Sequence, residues 1–318
     1  HPIKVTIDTS ALQTASKVLA NRNDWRIVYW NGSAWVDLDR DYISTGVTFF
    51  AIQTAIAAGG SDSNYYAYYG YSGETTNKQP TTEATWNAVY FSWTDANTVA
   101  LFHMREGTST AVNDDSANTN NGTATAGVTW GTDGRFGRYT IHDADADRID
   151  CGSNSSLDLG SMTLEAWIYM TAAPPSNKGM VMCKLDENAT QYSYALQITA
   201  GATQNVQFDV RNGASQGIVT GSTSLSLNTW YHVAATHDSS GTMKVYVNSV
   251  LDGTATGQVT AQVSTAQLRL GDIDPGGTVY AFRGYIQHAR ASNTARTSFP
   301  YAFATEPTSS AGSETTTQ

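Results

Sequence analysis

Acidic and amide side chains are concentrated in two segments that could bind a hard cation. The sequence HDADADRID carries Asp143, Asp145 and Asp147 at alternate positions, and an earlier polar segment carries a second group. This second group consists of Asp114, Asp115 and Asn118. Ca²⁺ takes about six to eight oxygen ligands from carboxylates, amides and backbone carbonyls. Convergence of the two segments at one edge of a sandwich would create a calcium site; the alternative is that these residues form solvated turns.

Four aromatic residues have loop-like surroundings in which a sugar ring could stack. They are Trp130, Tyr192, Tyr194 and Tyr280. The C–H faces of sugars stack on aromatic rings, and sugar hydroxyls need hydrogen-bond partners nearby. These four residues are therefore the candidate carbohydrate-binding set. The alternative for each of them is packing in a core or at a sheet edge.

The cysteines and the potential nucleophiles give no catalytic pattern. Cys151 and Cys183 each lie near a predicted strand, so they could form a disulfide in a secreted protein; the alternative is two buried thiols. Neither has a second cysteine or a histidine at zinc-ligand spacing. Residues 213–217, GASQG, match the nucleophile-elbow pattern. That pattern requires a strand, a turn and a helix, whereas this segment lies between two predicted strands.

The charge balance argues against nucleic acid as a partner. The chain has 18 lysines and arginines against 28 acidic residues, which gives a net charge of −10. A phosphate backbone is bound by a basic surface, and none is indicated here. An acidic and lightly charged chain suits an extracellular setting. Because no apolar run reaches about 18 residues, no membrane span is expected. The start at His1-Pro2 favours processing from a longer precursor.

Composition and length predict an all-β protein with two domains. The chain has 318 residues, of which 17 are Tyr, 8 are Trp and 27 are Gly. Aromatic and β-branched residues favour strands, and glycine favours the turns between them. Long helical periodicity is missing. The length is sufficient for two separate β-sandwich cores.

Residues 225–253, LSLNTWYHVAATHDSSGTMKVYVNSVLDG, contain the clearest strand pair. Because side chains alternate along a strand, Tyr231, Val233 and Ala235 point one way, and Trp230, His232, Ala234 and Thr236 the other. The sequence DSSG at 238–241 predicts a turn, and a second strand follows it. The dry face of that strand consists of Met243, Val245 and Val247.

At these residues the sequence resembles the laminin-G-like, concanavalin A-like jelly-roll family, whose hallmark is NTWYHVA followed by DG, MKLYVNG and DG. The resemblance extends over about the last two thirds of the chain. It includes residues 99–123, 134–152 and 161–170 upstream, and residues 268–297 downstream. The resemblance implies a jelly roll that binds glycans, proteins or lipids, or that only spaces a larger molecule.

The resemblance also bears on calcium and on catalysis. Many relatives hold calcium at an edge of the sandwich, but this sequence has Arg105 and Gln287 where relatives often have acids. Laminarinase-type hydrolases on the same scaffold use a carboxylate run of the form E-x-D-x-x-E. No such run occurs in the sequence. The resemblance therefore favours a protein that is not an enzyme, with Ca²⁺ as its one candidate cofactor.

The first part of the chain has its own alternating strands. They are predicted at residues 3–7, 25–30, 34–36, 47–52 and 65–71, with Asn31-Gly32 as a hairpin turn. The tyrosine-rich end, NYYAYYGY, resembles the small β-domain of unknown function that precedes laminin-G-like domains in bacterial, archaeal and phage surface proteins. This resemblance implies a compact sandwich.

The predicted organisation has four parts. Residues 1–75 form the small β-sandwich, residues 76–96 a linker, residues 97–304 the jelly roll, and residues 305–318 a polar tail. The composition of the tail, TEPTSSAGSETTTQ, is typical of disorder. If the tail is ordered, a neighbouring copy of the chain is the simplest partner to hold it.

The functional expectation is a non-enzymatic, lectin-like module at a cell or virion exterior. Its partners would be glycans or surface proteins. The alternative is a structural subunit of an extracellular or viral assembly, such as a phage decoration or fibre protein or a surface filament. In that alternative the sandwich mainly contacts copies of itself or other subunits.

Overall fold

The structure is a computed structural model, and it describes residues 2–44, 46–56, 60–80, 89, 94–125, 127–175, 178–186, 191–273 and 280–299. These residues fall into two compact units. The smaller unit draws on residues within 1–92 and 135–137, and the larger on residues within 93–134 and 138–304. The predicted tail and residues 81–88 and 90–93 of the predicted linker lie outside the described residues.

The smaller unit contains two antiparallel sheets of three strands each. Its strands are β1 Pro2–Thr6, β2 Arg26–Trp30, β3 Trp35–Leu38, β4 Arg40–Ser44, β5 Val47–Ala51 and β6 Tyr65–Tyr68. The sheet orders are β1-β5-β4 and β3-β2-β6. The predicted hairpin at Asn31 is present, because Trp30 pairs with Trp35 and the Asn31 Oδ1 accepts the backbone N–H of Ser33 and of Ala34.

Two elements of the smaller unit were not expected from its sequence. One is the strand β4, and the other is the helix α1 at Thr9–Thr14. The carboxylate of Asp8 accepts the backbone N–H of Ser10 at 2.9 Å and so caps this helix. Because α1 has only six residues, its apolar positions do not repeat often enough to indicate a helix.

Aromatic residues form the core of the smaller unit. Ile27, Tyr29, Leu38 and Phe50 are buried together. Trp25 is 1% exposed, and its indole N–H donates to the Thr48 hydroxyl at 3.0 Å. A tryptophan N–H that is buried needs such a partner, so this bond fixes the ring within the core.

The first residues of the predicted linker are fastened to the smaller unit. The amide oxygen of Gln79 accepts from the backbone N–H of Tyr42 at 2.8 Å and from the Arg40 guanidinium at 3.1 Å. Arg40 is 1% exposed, and its backbone N–H donates to the Lys78 carbonyl at 3.3 Å. Residues 78 and 79 therefore belong structurally to this unit.

The described part of the larger unit contains sixteen strands. Those of the first half are β7 Thr98–Phe102, β8 Ala111–Val112, β9 Gly122–Ala124, β10 Thr129–Gly134, β11 Gly137–His142, β12 Ile149–Asp150, β13 Met162–Met170 and β14 Lys178–Asp186. Those of the second half are β15 Gln191–Thr199, β16 Val206–Asn212, β17 Ser215–Thr220, β18 Trp230–His237, β19 Met243–Val247, β20 Val250–Ala255, β21 Leu268–Leu270 and β22 Gly284–Ser292. A single 3₁₀ turn is described at Ser155–Leu157.

These strands form two antiparallel sheets. Sheet I has the order β10-β11-β22-β13-β18-β19-β20, with β7 paired to β22. Sheet II has the order β17-β16-β15-β14-β21-β12-β9-β8. One core lies between them, because apolar residues of both sheets belong to a single buried cluster. This confirms the all-β prediction for the larger unit.

The strand pair at residues 225–253 has the predicted orientation. Val233, Ala235, Met243, Val245 and Val247 all lie in the core between the sheets. The intervening turn is stabilised by the Asp238 carboxylate, which accepts the backbone N–H groups of residues 240 and 242 at 2.9 Å each. The hydrogen bond from the Ser240 hydroxyl lowers the pKa of Asp238, and these two backbone hydrogen bonds lower it further.

A β-bulge in β22 places two histidines against each other. Glu165 pairs with Arg290 and Trp167 with Gln287, so β22 has one extra residue between these pairs. Within the bulge His288 has a φ of +49°, and its Nδ1 lies 2.7 Å from the Nδ1 of His103. Burial lowers the pKa of His103 well below 6.5, and the charges of His288 and nearby arginines lower it further.

This pair predicts a loss of stability in mild acid. In the unfolded chain His103 takes up a proton near pH 6.5, whereas in the folded chain it does so only at lower pH. The free energy of unfolding therefore falls as the pH drops below 6.5. We expect His103 to contribute a measurable part of this loss between pH 6.5 and 5. Denaturant titrations of the wild type and of His103→Asn across this range measure it.

His142 is also buried with a lowered pKa. It should therefore titrate in both the wild type and His103→Asn, and only the contribution of His103 should differ between the two proteins. The variant should therefore show a shallower pH dependence than the wild type. Equal slopes for the two proteins would contradict the assignment of the effect to His103.

No helix in the described part of the chain has the length and apolarity needed to cross a membrane.

Candidate functional site

Two of the four predicted sugar-binding aromatics come together on one surface. Tyr192 on β15 and Tyr280, which precedes β22, are both half-buried against the same small apolar cluster. The members of this cluster are Met180, Cys183, Leu185, Ala195 and Ile273. Their strand neighbours Val181, Met182, Tyr194 and Leu196 belong instead to the core between the sheets. The cluster therefore lies on the outer face of sheet II.

Each of these two tyrosine rings has a cation beside it. The guanidinium carbon of Arg211 lies 4.5 Å from the ring centroid of Tyr192, and the Nζ of Lys178 lies 5.0 Å from that of Tyr280. Both distances are within the range of a cation–π interaction. The rings and the charged groups therefore belong to one arrangement.

Strand β16 supplies the polar groups of this surface by simple alternation. Val206, Phe208 and Val210 enter the core, so Asp209 and Arg211 point outward. The guanidinium of Arg211 donates to the Asp209 carboxylate at 3.3 and 3.4 Å. On the neighbouring strand, the amide of Gln216 donates to the same carboxylate at 2.7 Å.

These groups line a shallow depression, which we call the sheet II depression. Its lining consists of Lys178, Leu185, Tyr192, Ser193, Tyr194, Ala195, Asp209 and Arg211. It combines a ring face, apolar side chains, cationic donors and a carboxylate acceptor. An amphipathic small molecule needs this combination of groups in a binding site.

The other two predicted aromatics have different roles. Tyr194 is 2% exposed, and its hydroxyl donates to the Leu157 carbonyl at 2.8 Å inside the core. Burial raises its pKa well above 10. Trp130 is half-buried against the core, and its indole N–H donates to the Ser109 carbonyl at 3.0 Å. Tyr194 and Trp130 therefore pack in or against the core, which is the alternative to sugar binding for both rings.

The first predicted group of calcium ligands is engaged within its own loop. Asp114 is buried, and its two carboxylate oxygens accept the backbone N–H groups of residues 101, 116 and 120 and the Ser116 hydroxyl. Asp115 forms an ion pair with Arg105. The Asn118 amide donates to the Val99 carbonyl at 3.2 Å. These interactions order the loop.

The second group is engaged in the same way. One carboxylate oxygen of Asp147 accepts the backbone N–H of Asp143 at 3.1 Å and of Ala144 at 2.8 Å. Asp145 forms an ion pair with Arg283. The side chain of Asp143 is exposed to solvent.

The six predicted ligands do not form one site. Throughout the described ranges, no three His, Cys, Asp or Glu side chains come close enough to hold a metal ion together. Most of their carboxylates accept backbone N–H groups or arginine N–H groups. The calcium site therefore stays a prediction, since Ca²⁺ needs about six to eight oxygens and these residues supply no cluster of them.

The two cysteines are free thiols rather than a disulfide. Cys183 on β14 faces the outer cluster, whereas Cys151 next to β12 faces the core. The strand β21 lies between β12 and β14, so the two backbones are about 10 Å apart. A disulfide requires Cα atoms within about 7 Å. Burial raises the pKa of Cys183 to about 12, so this thiol is unreactive at neutral pH.

The nucleophile-elbow pattern lies in a β-hairpin. Asn212 at the end of β16 pairs with Ser215 at the start of β17, and Gly213 has a φ of +58° in the turn between them. The strand, turn and helix that would expose a nucleophilic serine are therefore absent from this described segment.

Three polar residues of the sheet II depression were not found by sequence analysis. These are Lys178, Asp209 and Arg211. A signal was available for the last two, because apolar and polar residues alternate over the first six residues of β16, VQFDVR. Such alternation indicates a strand with one solvent-exposed face. It does not indicate that Tyr192 lies beside that face.

Comparison with known proteins gives a family for most of the larger unit. Residues 142–298 match the model of the concanavalin A-like lectin/glucanases superfamily. No curated protein matches the chain. One similar solved structure is domain 4 of AbnA, a GH43 extracellular arabinanase from Geobacillus stearothermophilus, in complex with arabinotriose. It is 16% identical with a TM-score of 0.49, and the match covers 64% of this chain and 95% of that one.

Two further similar structures are toxin domains. The binding domain of Paraclostridial Mosquitocidal Protein 1 is 14% identical with a TM-score of 0.48. The receptor binding domain of botulinum neurotoxin type G is 11% identical with a TM-score of 0.47. Each match covers 63% of this chain and 49% of the toxin domain, so the chain spans about half the length of either.

The two sheets, the hallmark strand pair and the family match agree with one another. Residues 142–298 of this chain form a laminin-G-like domain of the concanavalin A-like superfamily.

Proposed function

We propose that the larger unit is a non-catalytic, lectin-like module that binds saccharides in the sheet II depression. In this role it would attach its bearer to glycans at a cell or virion exterior. The observation that carries the proposal is the convergence of Tyr192, Lys178, Asp209 and Arg211 on one outward face. Tyr280, which packs against the same cluster as Tyr192, extends this surface.

The chemistry of the depression suits a sugar. The ring of Tyr192 offers an apolar surface for sugar C–H groups, and Leu185 and Ala195 continue that surface. Arg211 and Lys178 offer N–H donors for hydroxyl oxygens, while Asp209 offers an acceptor for a hydroxyl proton. Because Asp209 and Tyr192 hold Arg211 in place, its donors are oriented before a ligand arrives.

Replacing Tyr192 with alanine is expected to weaken saccharide binding about tenfold, because the stacking surface and the support of Arg211 are both lost. A glycan array identifies the ligand, and isothermal titration with that ligand then measures the affinity of the wild type and of Tyr192→Ala. The matched control is Tyr68→Ala in the smaller unit, where Tyr68 is 56% exposed. This control should bind as the wild type does.

The array is run both in calcium and in a chelator. Because the six predicted calcium ligands form no cluster among the described residues, binding is expected to be the same under both conditions. Loss of binding in the chelator would contradict this expectation and would favour a calcium site in the loops at Asp114 and Asp147. No binding of any saccharide would favour the structural-subunit alternative, in which the chain contacts copies of itself, and sedimentation measurements of assembly would then test that role.

A further inference from the structure

We infer that the ligand of the sheet II depression is an acidic oligosaccharide, one that carries carboxylate or sulfate groups. This inference rests on the proposed function, because it names the class of saccharide for the same site. The evidence for it is the presence of two cationic side chains in the depression, Lys178 and Arg211, and the contacts that fix their positions.

The depression is locally positive on a negative protein. Among the described residues, its lining contains Lys178 and Arg211 as cations and Asp209 as the one acidic residue. The whole chain has a net charge of −10. Two cations gathered on one small surface of such a protein attract anions to that surface and repel them from most of the rest.

Arg211 forms an ion pair with Asp209 at 3.3 Å and still has N–H donors for an anion. Asp209 accepts from the Nε and the Nη2 of Arg211. A guanidinium has five N–H donors, and three of them remain without a partner among the described residues. The carboxylate and the Tyr192 ring fix the plane of the guanidinium, and a planar guanidinium binds a carboxylate or sulfate through two parallel hydrogen bonds.

Lys178 supplies a second and separate charge. Its ammonium lies over the Tyr280 ring, and across the described ranges no carboxylate is within ion-pair distance of it. Lys178 begins β14, whereas Tyr192 lies opposite Leu185 near the end of that strand. The two cations therefore approach the depression from opposite ends of the β14-β15 pair.

This separation favours an oligosaccharide over a single sugar. One acidic group would reach Arg211, and a second acidic group further along the chain would reach Lys178. The sugar ring between them would lie over the apolar floor of Leu185 and Ala195. A uronate oligomer has this repetition of acid groups, and a sulfated oligosaccharide offers the same charge with a different geometry.

The test compares three tetrasaccharides by isothermal titration: tetragalacturonate, a heparin-derived tetrasaccharide and neutral cellotetraose. The variants are Lys178→Gln and Arg211→Gln. The matched control is Lys244→Gln, which removes the same charge from β19 in sheet I. We expect an acidic probe to bind at least tenfold more tightly than cellotetraose. Each depression variant should lose about tenfold in affinity for it, and the control should lose none.

The outcomes separate the inference from the proposed function. The tighter-binding probe of tetragalacturonate and the heparin-derived tetrasaccharide shows whether the site prefers carboxylate or sulfate groups. Either preference supports the inference. Equal or tighter binding of cellotetraose that still depends on Tyr192 would overturn the inference while leaving the saccharide site intact. Failure of all three probes, with no ligand on the array, would overturn both.

Discussion

Replacing Glu165 with alanine is expected to lower the free energy of unfolding of the larger unit by about 3 to 5 kcal/mol. The Glu165 carboxylate on β13 is 1% exposed and accepts from the Nε and Nη2 of Arg290 at 2.8 and 2.6 Å. It also lies 3.0 Å from the Nε2 of His232. Its removal would take this carboxylate away from the buried guanidinium of Arg290.

The pKa of Glu165 reflects the same balance. Burial alone raises the pKa of this carboxyl, but the hydrogen bond from His232 and the charge of Arg290 together bring it below its ordinary value. The carboxylate is therefore ionised in the folded chain at neutral pH. Its interactions stabilise the fold above the pKa of the unfolded carboxyl, and this contribution is lost as the pH falls through the folded pKa.

A surface ion pair of similar geometry provides the control for this prediction. Arg296 donates to Asp95 at 2.7 and 2.8 Å, but the side chain of Asp95 is 43% exposed. Asp95→Asn should therefore cost less than about 1 kcal/mol. Chemical denaturation followed by tryptophan fluorescence compares the two variants. A cost below 1 kcal/mol for Glu165→Ala would contradict the account of the buried pair.

The second large effect is expected at Gly284, where alanine should destabilise the larger unit by about 4 kcal/mol or more. Gly284 begins β22 with a φ of +150°, which non-glycine residues rarely adopt. A Cβ there would lie 2.0 Å from the Tyr169 carbonyl oxygen and 2.9 Å from the Cα of Met170. Because both contacts are with backbone of β13, the strand pair itself would have to separate.

Gly160 offers the matched glycine for comparison. It has no atom within 4 Å of a Cβ position, and its φ lies outside the left-handed region. Gly160→Ala should change the free energy of unfolding by less than about 1 kcal/mol in either direction. Thermal unfolding of both variants measures the difference. Equal melting temperatures would show that β22 accommodates a side chain at position 284 and would contradict the close approach to β13.

The sequence was most informative where strands alternate regularly and pair with a neighbour in the chain. The strands β18 and β19 are joined by a short turn, so local pattern alone gives their orientation, and Val233 and Val245 face the core as expected. The family resemblance in the same segment is carried by these local features. The pairing of strands that are far apart in the sequence could not be predicted from local patterns. For example, β22 pairs with β7, which lies at Thr98–Phe102 near the start of the larger unit.

The candidate site shows the same limit. Tyr192 and Tyr280 were selected because each is an aromatic residue in loop-like surroundings, but their shared cluster depends on how distant strands meet. Tyr194 has similar neighbours in sequence and yet points into the core. One step along a strand reverses the side chain, and a bulge between Lys184 and Leu185 shifts the register here.

The acidic loops illustrate a different ambiguity. A carboxylate that accepts backbone N–H groups in a turn has the same residue type and spacing as one that binds a cation. Asp114 and Asp147 accept such groups from their own loops. This distinction requires the positions of the N–H groups, which composition and spacing do not specify.

Mapping by nuclear magnetic resonance tests most directly whether the outer face of sheet II is the saccharide site. A saccharide found on the array is titrated into the isotope-labelled chain, and the backbone amide shifts are followed. We expect the largest changes within residues 178–186, 191–197 and 207–216, which carry the lining of the depression. Changes concentrated in the loops around Asp114 and Asp147, or on sheet I, would contradict the claim.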